Sequence, residues 1–205
     1  ITGASSGMGR EFAMQLDRGL HSVDEFWLIA RRGSRLKEIA SGMQHTVKIL
    51  PLDLTNEADM TVLTESLAEE KPVVRMLINC AGYGMMGDFT AVPIKEQTGE
   101  VDLNCRALLE VTYGCLPYMR AKSRIIQLAS SAAFLPQPGF SVYAATKSFV
   151  LSFSKALRAE LKERQIYVTA VCPGPVKTEF FEVAEHYAST VSYTHLRAHE
   201  TRRHL

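Results

Sequence analysis

Short apolar runs alternate with longer stretches of helical period along most of the chain. EFWLIA (25–30), TVKILPL (46–52), VRMLINCA (74–81), RIIQLAS (124–130) and IYVTAVC (166–172) are apolar at successive positions. Strands of a parallel sheet covered on both faces have this character. Between them, segments 7–20, 34–43, 56–70, 94–121 and 142–164 have helical periodicity. Asn56 with Asp59 marks one helix start, where a side-chain oxygen can cap free amides. The alternation predicts an α/β fold with a doubly wound parallel sheet. No repeat, low-complexity stretch or Pro/Gly linker divides the chain, so one domain is expected over residues 1–190.

The two ends fit that fold poorly. Only Ile1 and Thr2 precede the first glycine-rich turn, whereas the first strand of a doubly wound sheet is central. The pattern predicts a fragment that lacks most of the first strand and also the last one. The chain closes on VSYTHLRAHETRRHL, where His195 and His199 lie four apart and can share a helix face. A lone pair is not a metal site, because further ligands are missing. VSYTHLRAHET (191–201) instead resembles the translation of a transposase-type sequencing adapter. Residues 191–205 are read as an artefactual tail, and no metal is expected.

Composition narrows the partners. The net charge is +1, and residues 191–205 hold three Arg and one Glu, so the remainder carries 20 basic and 21 acidic residues. A near-neutral body gives no electrostatic reason to expect nucleic acid or an anionic membrane. No apolar run nears the ~20 residues that span a bilayer. Cys80, Cys105, Cys115 and Cys172 sit in apolar surroundings without metal-ligand spacing. They are expected to be buried free thiols in a reducing, cytoplasmic compartment.

TGASSGMGR opens the chain, placing Thr2, Gly3, Gly7 and Gly9 in a T-G-x-x-x-G-x-G pattern around Ser5, Ser6 and Met8. Glycines here let the backbone turn tightly against a pyrophosphate, which the amides of the following helix then hold. At the end of the next apolar run stands Ala30-Arg31-Arg32. An NAD-binding site usually places an acid there. Two guanidiniums instead favour a ribose 2′-phosphate, and so NADP(H) over NAD(H). Asp53 and Asn79 end later runs, Asp53 suited to accepting a hydrogen bond from adenine and Asn79 to satisfying backbone groups. Ala81-Gly82 leaves room for a flat ring close to the backbone.

SVYAATKSFV puts Tyr143 and Lys147 on one helix face. A neighbouring ammonium favours the phenolate, which suits acid/base work. Ser130 lies thirteen residues upstream of Tyr143, with Ser131 as its competitor. Together, TGASSGMG, NCAG, DLNCRALL, the serine run, YAATK and PGPVKT resemble the short-chain dehydrogenase/reductase family over residues 1 to about 187. That resemblance implies a Rossmann-type oxidoreductase. It implies that Tyr143 exchanges a proton with the substrate oxygen, that Lys147 binds the nicotinamide ribose, and that Ser130 orients the substrate. Asn104 would hold a relay water. Gly3, Gly7 and Gly9 would carry the pyrophosphate, and Asp53 and Leu54 would meet adenine. Asn79 would steady the sheet, and Pro173, Gly174, Val176 and Thr178 would run along the nicotinamide amide.

The implied reaction passes a hydride between nicotinamide and a small-molecule carbonyl or alcohol. The competing reading is a cofactor-binding protein, or an inert fragment, without turnover. The family's usual Asn-Asn-Ala-Gly is here Asn79-Cys80-Ala81-Gly82, and most of its substrate-covering segment is missing. Relatives commonly form dimers or tetramers through the helices at 94–121 and 142–164. Phe149, Val150 and Phe153 are candidates for that surface, although core packing is the favoured role for them.

Overall fold

The computed structural model describes residues 1–176 and 178–187. The tail expected at 191–205, and the imidazoles within it, lie outside the described residues. Among the described residues, five strands occupy the five apolar runs: β1 (Glu25–Ile29), β2 (Thr46–Leu50), β3 (Val74–Asn79), β4 (Met119–Leu128) and β5 (Tyr167–Val171). All pair in parallel, β2 against β1 in one block and β3, β4, β5 in the other. Thr2 lies between the blocks and bridges Ile29 on one side and Asn79 on the other. Its amide donates to the Ile78 oxygen, while the Ile29 amide donates to the Ile1 oxygen, both at 2.9 Å. The chain therefore winds outward in two directions from Thr2. The crevice of such a sheet opens above the carboxyl ends of the strands at that switch.

Among the described residues, seven α-helices accompany the sheet: α1 (Gly7–Gly19), α2 (Gly33–Ser41), α3 (Glu57–Glu70), α4 (Ile94–Val101), α5 (Leu108–Cys115), α6 (Ser141–Glu160) and α7 (Glu179–Ala184). The two faces of β1 part company. Phe26 and Leu28 pack with Ala13 of α1 and with Leu36 and Ile39 of α2. Ile29 joins Leu63 and Leu67 of α3 and Val111 of α5 in the larger core. The Asn56 side chain caps α3, accepting from the amides of Ala58 (2.9 Å) and Asp59 (3.2 Å). On α1, Asp17 is 1% exposed and accepts from the Gln44 and His45 amides and from His45 Nδ1. That contact ties the entrance of β2 to α1.

The single helix expected over 94–121 is broken. A π-turn at Asp102–Ala107 separates α4 from α5, a 3-10 turn follows at Leu116–Tyr118, and β4 begins at Met119. Pro117 lacks an amide hydrogen, so the helix cannot propagate past it. The polar start of β4 is secured by Ser123, whose hydroxyl donates to the Val74 oxygen at 2.8 Å. One further expectation needs correction. Only Cys115 of the four free thiols is fully buried, the other three being half-buried. Val150 is 0% exposed and packs in the core, the role favoured for it, whereas Phe149 departs from that role and is exposed. Among the described residues, no helix is long and apolar enough to cross a membrane.

Candidate active site

Gly3 and Gly7 adopt φ of 65° and 51°, a region closed to most side chains. A Cβ on Gly3 would stand 2.7 Å from the Ala81 amide nitrogen, so the glycine loop rests on the turn after β3. Thr2 fastens that turn, its hydroxyl accepting from the Cys80 and Ala81 amides at 3.1 Å each. Ser6 precedes α1 without capping it through its side chain, which leaves the first amides of the helix available to an anion. Behind the turn, Asn79 donates to Thr112 Oγ1 (3.0 Å) and Gln127 Oε1 (2.9 Å). Its partners are side chains rather than the backbone groups expected, and they pin α5 to β3 and β4.

One cavity of about 1750 Å³ runs along the carboxyl ends of the strands and touches every candidate residue except Thr2, Asn79 and Asn104. At one end it meets the arginines. Arg31 is largely exposed and lies 3.9 Å from Asp53 Oδ2. Arg32 turns back onto the glycine loop. Its Nη2 donates to Ser6 Oγ (2.7 Å) and Ser5 Oγ (3.2 Å), and its Nη1 meets Glu179 Oε2 at 2.8 Å. The Asp53 carboxylate accepts from the Thr55 amide and hydroxyl. Burial pushes its carboxyl upward, but these two bonds and Arg31 hold it below the usual value. Leu54 beside it is buried.

At the other end, Tyr143 and Lys147 stand one turn apart on α6, both buried. Lys147 Nζ donates to the Leu128 oxygen at 2.8 Å and lies 5.6 Å from the Tyr143 ring centroid. Burial pushes its ammonium down to about 8. Burial also raises the Tyr143 phenol; a hydrogen bond with Ser130 opposes the rise, and Glu100 adds to it. The direction is opposite to that expected from a nearby ammonium. Burial sets the direction, and the ammonium is engaged by the Leu128 oxygen. Ser130 also accepts from the Ala132 amide at 3.2 Å, while Ser131 is exposed. Ser130 is thus the serine that meets the phenol.

Asn104 sits inside the π-turn, where local widening of a helix often marks a functional site. Its Nδ2 donates to the Tyr83 oxygen (2.8 Å) and Thr146 Oγ1 (3.0 Å), and its Oδ1 accepts from the Tyr83 amide (3.1 Å). A Cβ on Gly82 would come within 2.8 Å of that Oδ1 and 3.4 Å of Lys147 Nζ. Asn104, Gly82 and Lys147 therefore form one packed unit. Pro173, Gly174, Val176 and Thr178 line the cavity above it, and Thr178 caps α7 by accepting from the Phe180 amide.

Several residues escaped the sequence reading. Phe140 stacks on Tyr143, with centroids 4.2 Å apart and planes 17° apart; its place three residues before Tyr143 was the available signal. Glu100 is 1% exposed, and its Oε1 accepts from the Met85 amide while Oε2 has no hydrogen-bond partner among the described residues. Burial raises its carboxyl to about 7. Glu100 precedes Asn104 by four, the spacing of one helix face. Glu179 follows Thr178 directly, and an acid in a first helical turn is ordinary, so nothing pointed from it to Arg32.

The chain matches the short chain dehydrogenase family over residues 1–188. It is 32% identical to a serine 3-dehydrogenase of Rhizobium radiobacter, covering 88% of this chain and 72% of that one. Among solved structures, it resembles a short-chain dehydrogenase from Sphingobium yanoikuyae in complex with NADPH (TM-score 0.79, 32% identity, 89% and 72% of the two chains). It also resembles a 3-ketoacyl-(acyl-carrier-protein) reductase from Brucella melitensis complexed with NADH (TM-score 0.79, 26% identity, 91% and 78%). The glycine loop, the turn after β3, the π-turn and α6 all fall inside the matched region, and the chain belongs to the short-chain dehydrogenase/reductase family of oxidoreductases.

Proposed function

We propose that the protein is an NADP(H)-dependent oxidoreductase that interconverts a small-molecule carbonyl and its alcohol, with Tyr143 as the general acid and base. The observation that carries this reading is one cavity with the glycine loop and Arg32 at one end and Ser130, Tyr143 and Lys147 at the other. The residues present fit a nicotinamide dinucleotide. Gly3 and Gly82 each face atoms that any Cβ would crowd, the first amides of α1 are open to a pyrophosphate, and Arg32 lies against Ser5 and Ser6 where a 2′-phosphate would sit.

When bound, the cofactor supplies or accepts the hydride. Lys147 binds its ribose, and Asp53 and Leu54 meet its adenine. Met8, Gly9, Arg31 and the segment from Pro173 to Thr178 complete the binding surface. Ser130 donates a hydrogen bond to the substrate oxygen and holds it beside the phenol. Tyr143 gives that oxygen a proton in reduction and takes one in oxidation. Asn104 keeps Gly82 and Tyr83 in place beside Lys147. We also propose self-association through α5 and α6, supported by the exposure of Tyr113 (81%), Phe149 (38%) and Leu109 (37%).

NADPH oxidation followed with a panel of ketones and aldehydes tests the reading. Turnover that Tyr143→Phe lowers about 10²–10⁴-fold, with NADPH affinity retained, supports it. A fully active Tyr143→Phe variant sinks the mechanism. Tight NADPH binding without any turnover favours a binding module.

A further inference from the structure

Arg32 faces two kinds of partner. Nε and Nη2 point to the serine hydroxyls of the glycine loop, at 3.3 Å and 3.2 Å for Ser5 and 2.7 Å for Ser6, while Nη1 is held by Glu179 Oε2 at 2.8 Å. The carboxyl of Glu179 is held below its ordinary value, chiefly by that guanidinium. Both side chains are partly exposed, at 45% and 43%, so the pair is weak and exchangeable. Glu179 also begins α7. Phe180, the next residue, lies 5.3 Å from the Tyr143 ring, and the Ala184 oxygen at the end of α7 accepts from the Met86 amide at 2.8 Å. A short helix thus reaches from the guanidinium to the phenol.

We propose that Glu179 is a built-in rival of the cofactor's 2′-phosphate and so sets how strongly the protein prefers the phosphorylated cofactor. The inference rests on the reading of Arg32 as the 2′-phosphate site. A phosphate arriving at Arg32 meets a carboxylate already there, and two anions beside one guanidinium repel. NADP(H) therefore binds with displacement of Glu179, whereas NAD(H) leaves the Arg32–Glu179 pair intact. Displacement also frees the first residue of α7, so the seating of Phe180 on Tyr143 responds to which cofactor is bound.

Fluorescence titration of NADPH and NADH into the wild type, Glu179→Gln, Glu179→Asp and Arg32→Ala separates the possibilities without requiring a substrate. Glu179→Gln is expected to tighten NADPH about three- to tenfold and to move NADH less than twofold, with Glu179→Asp in between. Equal changes for both cofactors, or weaker NADPH binding in Glu179→Gln, would overturn the rivalry. If Arg32→Ala weakens NADPH tenfold or more while Glu179→Gln has no effect, the rivalry alone fails. If Arg32→Ala leaves NADPH affinity unchanged, the assignment of Arg32 fails, and the rivalry fails with it.

Discussion

Lys147 donates its ammonium to the main-chain oxygen of Leu128 at 2.8 Å, which ties the charge on α6 to the last residue of β4. Burial lowers that ammonium to about 8, from an ordinary value of 10.5. The folded state therefore disfavours the charged form. Between about 8 and 10.5 the unfolded chain binds the proton more readily, so this group makes stability rise with pH across that window. Lys147→Met is expected to cut turnover by about 10²-fold or more. Any stability advantage it has over the wild type at pH 7 should shrink as pH rises from 8 to 10.5. Melting curves of the two proteins across that range check the sign.

Gly82 is enclosed by Asn104 and Lys147. A methyl group there meets Asn104 Oδ1 at 2.8 Å, and that oxygen is fixed by the Tyr83 amide. Gly82→Ala is expected to cost about 1–3 kcal/mol through overpacking and to lower turnover. Adding Asn104→Ala should recover part of the stability but none of the activity. Urea titrations of the two single variants and the double variant measure this coupling.

Glu100 gives the molecule an unusual dependence on neutral pH. Burial raises its carboxyl from 4.5 to about 7, with Glu96 adding to the rise and the Met85 amide opposing it. A carboxyl that holds its proton more tightly when folded contributes stability that is full below 4.5 and lost as pH rises toward 7. The wild type should lose roughly 1–3 kcal/mol over that interval from this group. Glu100→Gln should flatten the slope. Denaturant midpoints at pH 5 and pH 7 decide between the two outcomes.

Asp17 has the opposite sign. Burial alone would raise its carboxyl, but the amides of Gln44 and His45 and the His45 ring bring it below 3.8. Its stabilisation is present above that value and lost on further acidification. Asp17→Ala leaves two half-buried amides without their acceptor and is expected to cost about 1–3 kcal/mol. Asp17→Asn should recover part of that cost, as read from thermal melts at pH 7.

The strands and most of the helices were legible because Leu28, Leu77, Ile125 and Val168 lie in two-sided apolar runs that only a covered sheet explains. The π-turn was not. The buried positions Gln97, Glu100, Asn104, Ala107, Val111 and Cys115 keep nearly helical spacing straight through it, so periodicity shows no break. At the site, the shared face of Tyr143 and Lys147 followed from helix spacing, whereas the choice of Ser130 over Ser131 came from the resemblance to the family. The direction of the Tyr143 shift did not follow, because sequence shows a neighbouring charge but not the desolvation that sets the direction. Arg32 could be read as a basic residue, but its partner Glu179 lies 147 positions away, and no local pattern joins the two.

Thr2 has a mechanical consequence. Its backbone meets both sheet blocks, its hydroxyl binds the amides of Cys80 and Ala81, and the next residue, Gly3, abuts Ala81. The loop that would grip the diphosphate and the turn that would lie beneath the nicotinamide are thus bolted to a single peptide unit. The floor of the cleft is cross-braced along this seam, whereas its roof rests on Tyr143 through two aromatic contacts, Phe140 before α6 and Phe180 of α7.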